Sequence, residues 1–298
     1  MTPTQKGVVL TLLASTGAAV FLSVFKLGTE YGSLQHAVLF LLGSAAAFNT
    51  VASIVSTRSL AVIRLDRKSF AISVVFALLT LGGNLCATLA LQRISAPLTS
   101  VFQQTQVVLV AYLGARWLGE TLTSRFWIGG LLAGFGLVLL RLDAARISEF
   151  NAAGTTYATL SALCFALMAV ITKRYIHEIQ PIAVNAVRLW MAVLIWVLYH
   201  GLPQLAELRW QLIACCGVAA FLGPFLARIA LMYSLRYIPA SLTTLLGLIT
   251  PALALIPAFI VFGMLPTSRE LLGSIVMIAG IALPTLGALR DSPTAAPV

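Results

Sequence analysis

From Ser69 to Gln92 the chain carries no charged side chain and only a scatter of polar ones. A helix rises about 1.5 Å per residue, so roughly 20 such residues are enough to cross the hydrocarbon core of a bilayer. A run that is apolar on every side, rather than along one stripe, leaves no face for water. Runs of this kind recur at 7–27, 35–55, 70–92, 96–116, 126–142, 154–173, 182–200, 211–235, 239–262 and 270–289. Lipid satisfies no backbone hydrogen bond, so only helices and closed barrels span it. These runs are too long and too continuous for the alternating strands of about ten residues that build a barrel. The whole chain agrees: of its 298 residues 60% are hydrophobic and 9% charged, against about 25% charged in soluble domains. The expected fold class is all-α integral membrane, with ten transmembrane helices.

A second constraint is internal. Residues 84–139 return, shifted by 144 positions, as 228–283. Chance matches of Leu and Ala come easily in an apolar chain. The triplet Thr123-Ser124-Arg125 against Thr267-Ser268-Arg269 does not, and neither do Gly119/Gly263, Gly129/Gly273 and Gly136/Gly280 in the same ungapped register. Gly7/Gly154 and Lys26/Lys173, each 147 apart, extend the correspondence to the first and sixth segments. The chain therefore divides into two five-helix repeats, 1–142 and 154–290, followed by a tail, 291–298, expected to be disordered. Five is odd, so the second repeat enters the membrane in the opposite sense. Inverted repeats place a binding site near the bilayer midplane, between the halves, and suggest alternating access.

The net charge is +10. Because the basic residues are spread over short connections, they speak for orientation and not for nucleic acid. One set of alternate connections holds eleven of the nineteen Lys and Arg, among them Arg58, Arg64, Arg67, Lys68 and Arg125; the other holds six, among them Arg93, Arg141, Arg146 and Arg269. The positive-inside rule then puts both termini in the cytoplasm, and the expected location is the cytoplasmic (inner) membrane. Cys86, Cys164, Cys215 and Cys216 lie inside apolar runs without metal-ligand spacing, so they read as packing residues, and no cofactor is expected. No cleavage site stands out after Phe25, so a removed leader is not expected.

At the level of motif, Ala90-Leu91, Ile94, Ala96, Leu98-Thr99, then Leu118-Gly119-Glu120-Thr121-Leu122-Thr123 and Gly129 resemble the five-helix EamA-type unit of the drug/metabolite transporter superfamily. Arg188, early in segment 7 after Pro181, is also similar to a common position of that family. The second half departs from the pattern, with Met264 in the place of Glu120 and Pro266 following. The resemblance implies ten helices, cytoplasmic termini and movement of a small metabolite or amino acid, often outward.

Candidate site residues are the polar groups inside the apolar runs. Asn84 and Arg228 are equivalent under the 144 shift. An arginine at such depth costs about 2.5–3.5 kcal/mol on insertion scales, so it faces a cavity or a partner, or else snorkels to the interface. In a cavity its fork of donors would receive a carboxylate or phosphate. Arg188, nearer a helix end, is open to the same two readings or to a gate role. Gln103 and Gln106 share a face of segment 4, and the shift takes Gln106 to Thr250, beside Pro251. Phe165 and Phe225 could wall the pocket for an amphipathic substrate, and Asn49 and Thr50 could line an entrance. Pro224, Gly217 and Gly223 predict a kink in segment 8, and Pro251 and Pro257 a bend in segment 9. The Gly-x-x-x-Gly at Gly130 and Gly134, with Gly273, Gly280 and Gly287, predicts close helix approach or a homodimer face.

No Asp or Glu lies in the middle of a segment. That argues against a proton-coupled exporter of permanent cations, which would want a buried carboxylate. It favours a neutral, zwitterionic or anionic substrate. An enzyme would need clustered carboxylates or a nucleophile–base pair, and none is present. The expected function is therefore a secondary transporter moving a small metabolite, an amino acid or related zwitterionic or anionic compound, and the family resemblance implies the export direction. The alternatives are a membrane receptor or assembly factor, and a facilitator of phosphorylated or nucleotide-linked metabolites. Expected partners are the small-molecule substrate, membrane lipid and, at a homodimer face, a second copy of the chain.

Overall fold

The computed structural model describes residues 1–57, 65–141, 151–201 and 209–290. Arg58, Arg64, Arg146 and the tail 291–298 lie outside the described residues. The described chain is helical, and it starts with α1 (Pro3–Thr29), α2 (Leu34–Thr57), α3 (Arg67–Leu91), α4 (Ala96–Gln103) and α5 (Thr105–Leu118). It continues with α6 (Ser124–Arg141), α7 (Ala152–Tyr175), α8 (Pro181–His200) and α9 (Trp210–Ala220). A π-helical turn, Phe221–Ala227, leads into α10 (Arg228–Ser234), followed by α11 (Ala240–Gly247), α12 (Thr250–Leu253), α13 (Leu255–Phe262) and α14 (Ser268–Arg290). Nine stretches among the described residues are long and apolar enough to cross a membrane. The α4–α5 pair supplies the tenth segment, in two pieces.

Local chemistry sets the ends. Thr2 caps α1 through a reciprocal pair of hydrogen bonds with Gln5, and Pro3 occupies the first turn, where its missing N–H costs nothing. Asp66 accepts from the backbone of Lys68 and Ser69 to start α3. Gly119 (φ 69°) and Gly263 (φ 66°) end α5 and α13 in the left-handed region, which side chains rarely adopt. The two lie 144 positions apart, so the repetition in sequence is also a repetition in backbone.

Three segments are broken. Pro224 lacks the N–H that an α-helix would use, and the chain absorbs the loss by widening to π geometry over Phe221–Ala227. Segment 9 is interrupted at Leu248–Ile249 and at Ala254. Segment 4 is interrupted at Gln104, the residue equivalent to Leu248, although it has no proline near the break.

The two repeats lock through α6 and α14. A Cβ on Gly136 would come within 2.7 Å of the Gly273 carbonyl, and one on Gly280 within 2.7 Å of the Gly129 carbonyl. Gly129 and Gly136 are the equivalents of Gly273 and Gly280, so equivalent helices cross antiparallel with backbone against backbone. Gly130 meets only Leu245, and Gly134 meets nothing within 4 Å. The Gly-x-x-x-Gly at 130 and 134 is therefore not this seam. Glycines seven apart share a face, and 130 and 134 lie on neighbouring ones.

The two ends of the bundle differ. At the end that carries both termini, the Glu120 carboxylate accepts from Ala240 N (2.6 Å), Ser241 N (3.1 Å) and Ser241 Oγ (2.7 Å), capping α11. Lys173 Nζ donates there to the carbonyls of Leu235 (2.7 Å) and Ile238 (2.9 Å), and α5 packs on α11. At the other end Met264 replaces Glu120 and is 55% exposed. The Ser95 Oγ at the start of α4 is buried without a hydrogen-bond partner. Among the described residues, no extensive packing joins α4 to α13 there.

Candidate functional site

A polar group forms where α3, α7, α8 and α10 meet. Arg188, 5% exposed, donates from Nη1 to Thr80 Oγ1 at 3.2 Å and approaches Met168 Sδ at 3.7 Å. Thr80 also donates to the Phe76 carbonyl of its own helix, which fixes the rotamer that presents its oxygen. One turn on, Asn84 is exposed and returns its Nδ2 to the Thr80 carbonyl at 2.7 Å. Spacing of four puts Asn84 on the helix face that Thr80 turns toward Arg188.

On α7 one face carries Ser161, Phe165 and Met168 in succession. Ser161 Oγ accepts from Gln103 Nε2 at 3.2 Å, which joins α4 to the wall. Phe165 lies against Gly83, where an added Cβ would sit 3.1 Å from its ring. Arg228 opens α10 directly after the π turn, and α10 packs on α8, the helix that carries Arg188. Both Nε atoms are buried without a hydrogen-bond partner. No carboxylate pairs with either guanidinium among the described residues.

A guanidinium without an acidic partner in a lipid-embedded interior is costly, and an anion is one group that would offset the cost. Snorkelling is ruled out for the Arg188 head, since it ends on a buried threonine and methionine. Arg228 is part-buried and its Nε is sealed from water.

A second network stiffens the neighbourhood. Asn185 Nδ2 donates to Asn49 Oδ1 at 2.9 Å and to the Pro224 carbonyl at 3.0 Å. The π turn thereby gains a side-chain donor from α8, and α2 is tied to the same point. Asn49 is fully buried. It belongs to this interhelical link and does not line an entrance. Thr50 Oγ1 accepts from Trp190 Nε1 at 3.0 Å.

Of the residues singled out in the sequence, the fold brings together Arg188, Arg228, Asn84 and Phe165, with Gln103 along the α7 wall. Gln106 is part-buried in α5, beyond the break at Gln104. Thr250 starts α12, which packs on α1 and α14. Phe225 joins a separate aromatic group, 5.4 Å from Phe221 and 6.0 Å from Phe48. Sequence reasoning missed Thr80, Ser161, Met168 and Asn185. Thr80 and Asn185 carried a usable signal, one turn from Asn84 and Arg188 respectively. Met168 carried none, because a methionine in an apolar run looks like packing.

The chain is similar to two curated relatives. One, described as the uncharacterized transporter YdfC of Bacillus subtilis (strain 168), is 25% identical over 194 residues, which are 64% of this chain and 62% of the relative. The other, described as the uncharacterized transporter sll1164 of Synechocystis sp. (strain ATCC 27184 / PCC 6803 / Kazusa), is 22% identical over 204 residues, 65% of this chain and 57% of the relative. The matches thus span less than two thirds of either relative's length. A chain of known crystal structure superposes with a TM-score of 0.76 at 20% identity, over 95% of this chain and 98% of that one, and shows the shared fold. The family profile described as "EamA-like transporter family" matches residues 5–142 and again 152–286, one match for each repeat. This multi-pass membrane protein belongs to the EamA-like transporter family.

Proposed function

We propose that the protein moves a small carboxylate- or phosphate-bearing metabolite, of which a zwitterionic amino acid is the simplest case, across the cytoplasmic membrane by alternating access. The observation that carries this reading is that Arg188 and Arg228, on helices that pack together, both have buried Nε atoms without a hydrogen-bond partner, and that no carboxylate pairs with either among the described residues. A substrate anion would supply the missing acceptors. Asn84, one turn beyond Thr80, offers a neutral donor and acceptor for the rest of the molecule, and Phe165 an apolar wall.

The backbone supports the cycle. The glycine seam between α6 and α14 makes one rigid unit. The π turn and the break at Gln104 supply joints in segments that border the site, and the break at Leu248–Ile249 supplies the equivalent joint in the other repeat. Closure by Glu120 at one end, with an exposed Met264 in the equivalent place at the other, corresponds to one access state. The Lys and Arg count supports placing the closed end in the cytoplasm, in which case this state faces outward, and the family resemblance supports export as the direction. With no carboxylate at mid-membrane to carry a proton, exchange or facilitated movement fits better than a proton-driven pump.

Counterflow in proteoliposomes tests the proposal. A panel of amino acids, dicarboxylates, sugar phosphates and nucleosides should yield at least one anionic or zwitterionic compound that moves. Arg228→Ala should lower that rate tenfold or more while the protein still purifies as a folded species. Transport of neutral or cationic compounds alone, with Arg228→Ala at full rate, would overturn the substrate class.

A further inference from the structure

Six buried side-chain polar atoms among the described residues lack a hydrogen-bond partner, and five of them belong to arginines or a serine, which can donate. The sixth, Asn185 Oδ1, can only accept. Asn185 is 1% exposed and lies in α8 three residues before Arg188, whose Nε is another of the six. Residues at that spacing share a helix face, with Cβ atoms about 5–6 Å apart. One face of α8 thus sets a buried acceptor without a donor beside a buried donor without an acceptor. Native proteins keep few such groups, and each calls for an explanation.

The amide is not free to turn over. Asn49 Nδ2 donates to the Ala45 carbonyl of its own helix at 2.7 Å, which leaves Asn49 Oδ1 for α8. Asn185 answers that oxygen and the Pro224 carbonyl with its Nδ2, at 2.9 and 3.0 Å. Both N–H groups of the amide are then in use. The reverse orientation would set an oxygen against two oxygens. Asn185 Oδ1 is therefore held away from both of its neighbours' acceptors, with its lone pairs unclaimed.

The chemistry of the pair narrows what would meet it. Water satisfies the oxygen but leaves the guanidinium, which reaches only a hydroxyl and a thioether, without a counter-charge. A bare metal ion suits the oxygen and is repelled by the guanidinium one turn away. A plain anion suits Arg188 and leaves the oxygen without a donor, at the cost of an unmade buried hydrogen bond. An anion with a donor on the adjacent carbon satisfies both. Carboxylates with a 2-amino or a 2-hydroxy group have that form.

We propose that Asn185 is a specificity-determining residue of the transport site, its Oδ1 accepting from the 2-amino or 2-hydroxy group of a substrate whose carboxylate lies on Arg188. The inference rests on the transport reading and adds to it the requirement for a donor beside the anion. The same amide grips the Pro224 carbonyl of the π turn. A donor placed on Oδ1 polarises the N–H groups that make that grip, so occupancy of the site reaches the joint.

The test is counterflow by the full-length protein in proteoliposomes, with the rate of protein-free liposomes subtracted, on two matched sets. One set is L-leucine, L-2-hydroxy-4-methylpentanoate and 4-methylpentanoate; the other is L-glutamate, L-2-hydroxyglutarate and glutarate. A site built to bond a substrate N–H or O–H rejects the analogue that lacks it, so in at least one set the unsubstituted acid should move at least roughly tenfold more slowly than a substituted one. The faster of the amino and hydroxy compounds identifies the donor. Asn185→Leu removes the acceptor and should erase that ratio, whereas the loss of a merely structural tie would slow all three alike and preserve it. Asn49→Leu cuts one strand of the tie, spares Asn185 Oδ1 and should keep the ratio. If Asn185→Leu fails to fold, the parent protein and Asn49→Leu decide. Equal rates within both sets, a ratio that survives Asn185→Leu, or a ratio lost in Asn49→Leu would overturn the proposal. Movement of other anions but none of these six would sink it and leave the transport reading standing; movement of no anion would sink both.

Discussion

Arg188 is held by one hydroxyl and one thioether, so each weak acceptor around it counts. Thr80→Val keeps the volume and removes the oxygen, leaving a buried charged donor short of a partner at a cost of about 1–3 kcal/mol. The thermal midpoint of the purified protein should fall, and Thr80→Ser, which restores the oxygen, should recover most of it. An unchanged midpoint in Thr80→Val would mean that the guanidinium is satisfied elsewhere. At this scale the chain was partly legible. Arg188, Arg228 and Asn84 stood out because polar groups are expensive in lipid, and the same rule pointed to Gln103. Thr80 and Ser161 did not stand out, since a helical hydroxyl can satisfy itself on its own backbone. Only the neighbouring helix reveals whether it does more.

At the scale of the element, the joint that matters most is the start of α11. An N-terminus presents free N–H groups and a partial positive charge, and the Glu120 carboxylate answers both. Glu120→Gln keeps one acceptor and loses the charge, which should cost on the order of 1–2 kcal/mol. Deuterium uptake of the peptide covering 240–247 should rise, while that of α6 stays unchanged. Equal uptake in the variant and the parent would sink the idea that this carboxylate closes the end. The proline-driven breaks were visible in advance, at Pro224 and around Pro251. The break at Gln104 was not, because nothing at that residue forbids a continuous helix. Its equivalence to Leu248 shows a bend kept by the fold where the sequence does not require it.

At the scale of the molecule, stability rests on the backbone contact between α6 and α14. Lipid gives apolar helices no reason to associate, so close packing has to supply it. Gly136→Leu would drive a side chain into the Gly273 carbonyl and the backbone of Met277. It should lower the midpoint sharply or abolish folded yield, at a cost above the 1–3 kcal/mol usual for overpacking. Gly134→Leu, with nothing within 4 Å of its Cβ, is the control and should be tolerated. Loss of folding in both variants would mean that the face at Gly134 is also covered, as a second copy of the chain could do.

The sequence by itself determined the class, the segments and the duplication. Each follows from a local or one-dimensional rule: apolar length against bilayer thickness, and identity at a fixed shift. Tertiary structure decided which glycines touch, that Arg188 and Arg228 sit on helices that pack together, and that Glu120 clamps one end while an exposed Met264 stands in its place at the other. Those are facts about helix rotation and neighbours, and an all-apolar helix surface leaves rotation unspecified until the packing partner is known.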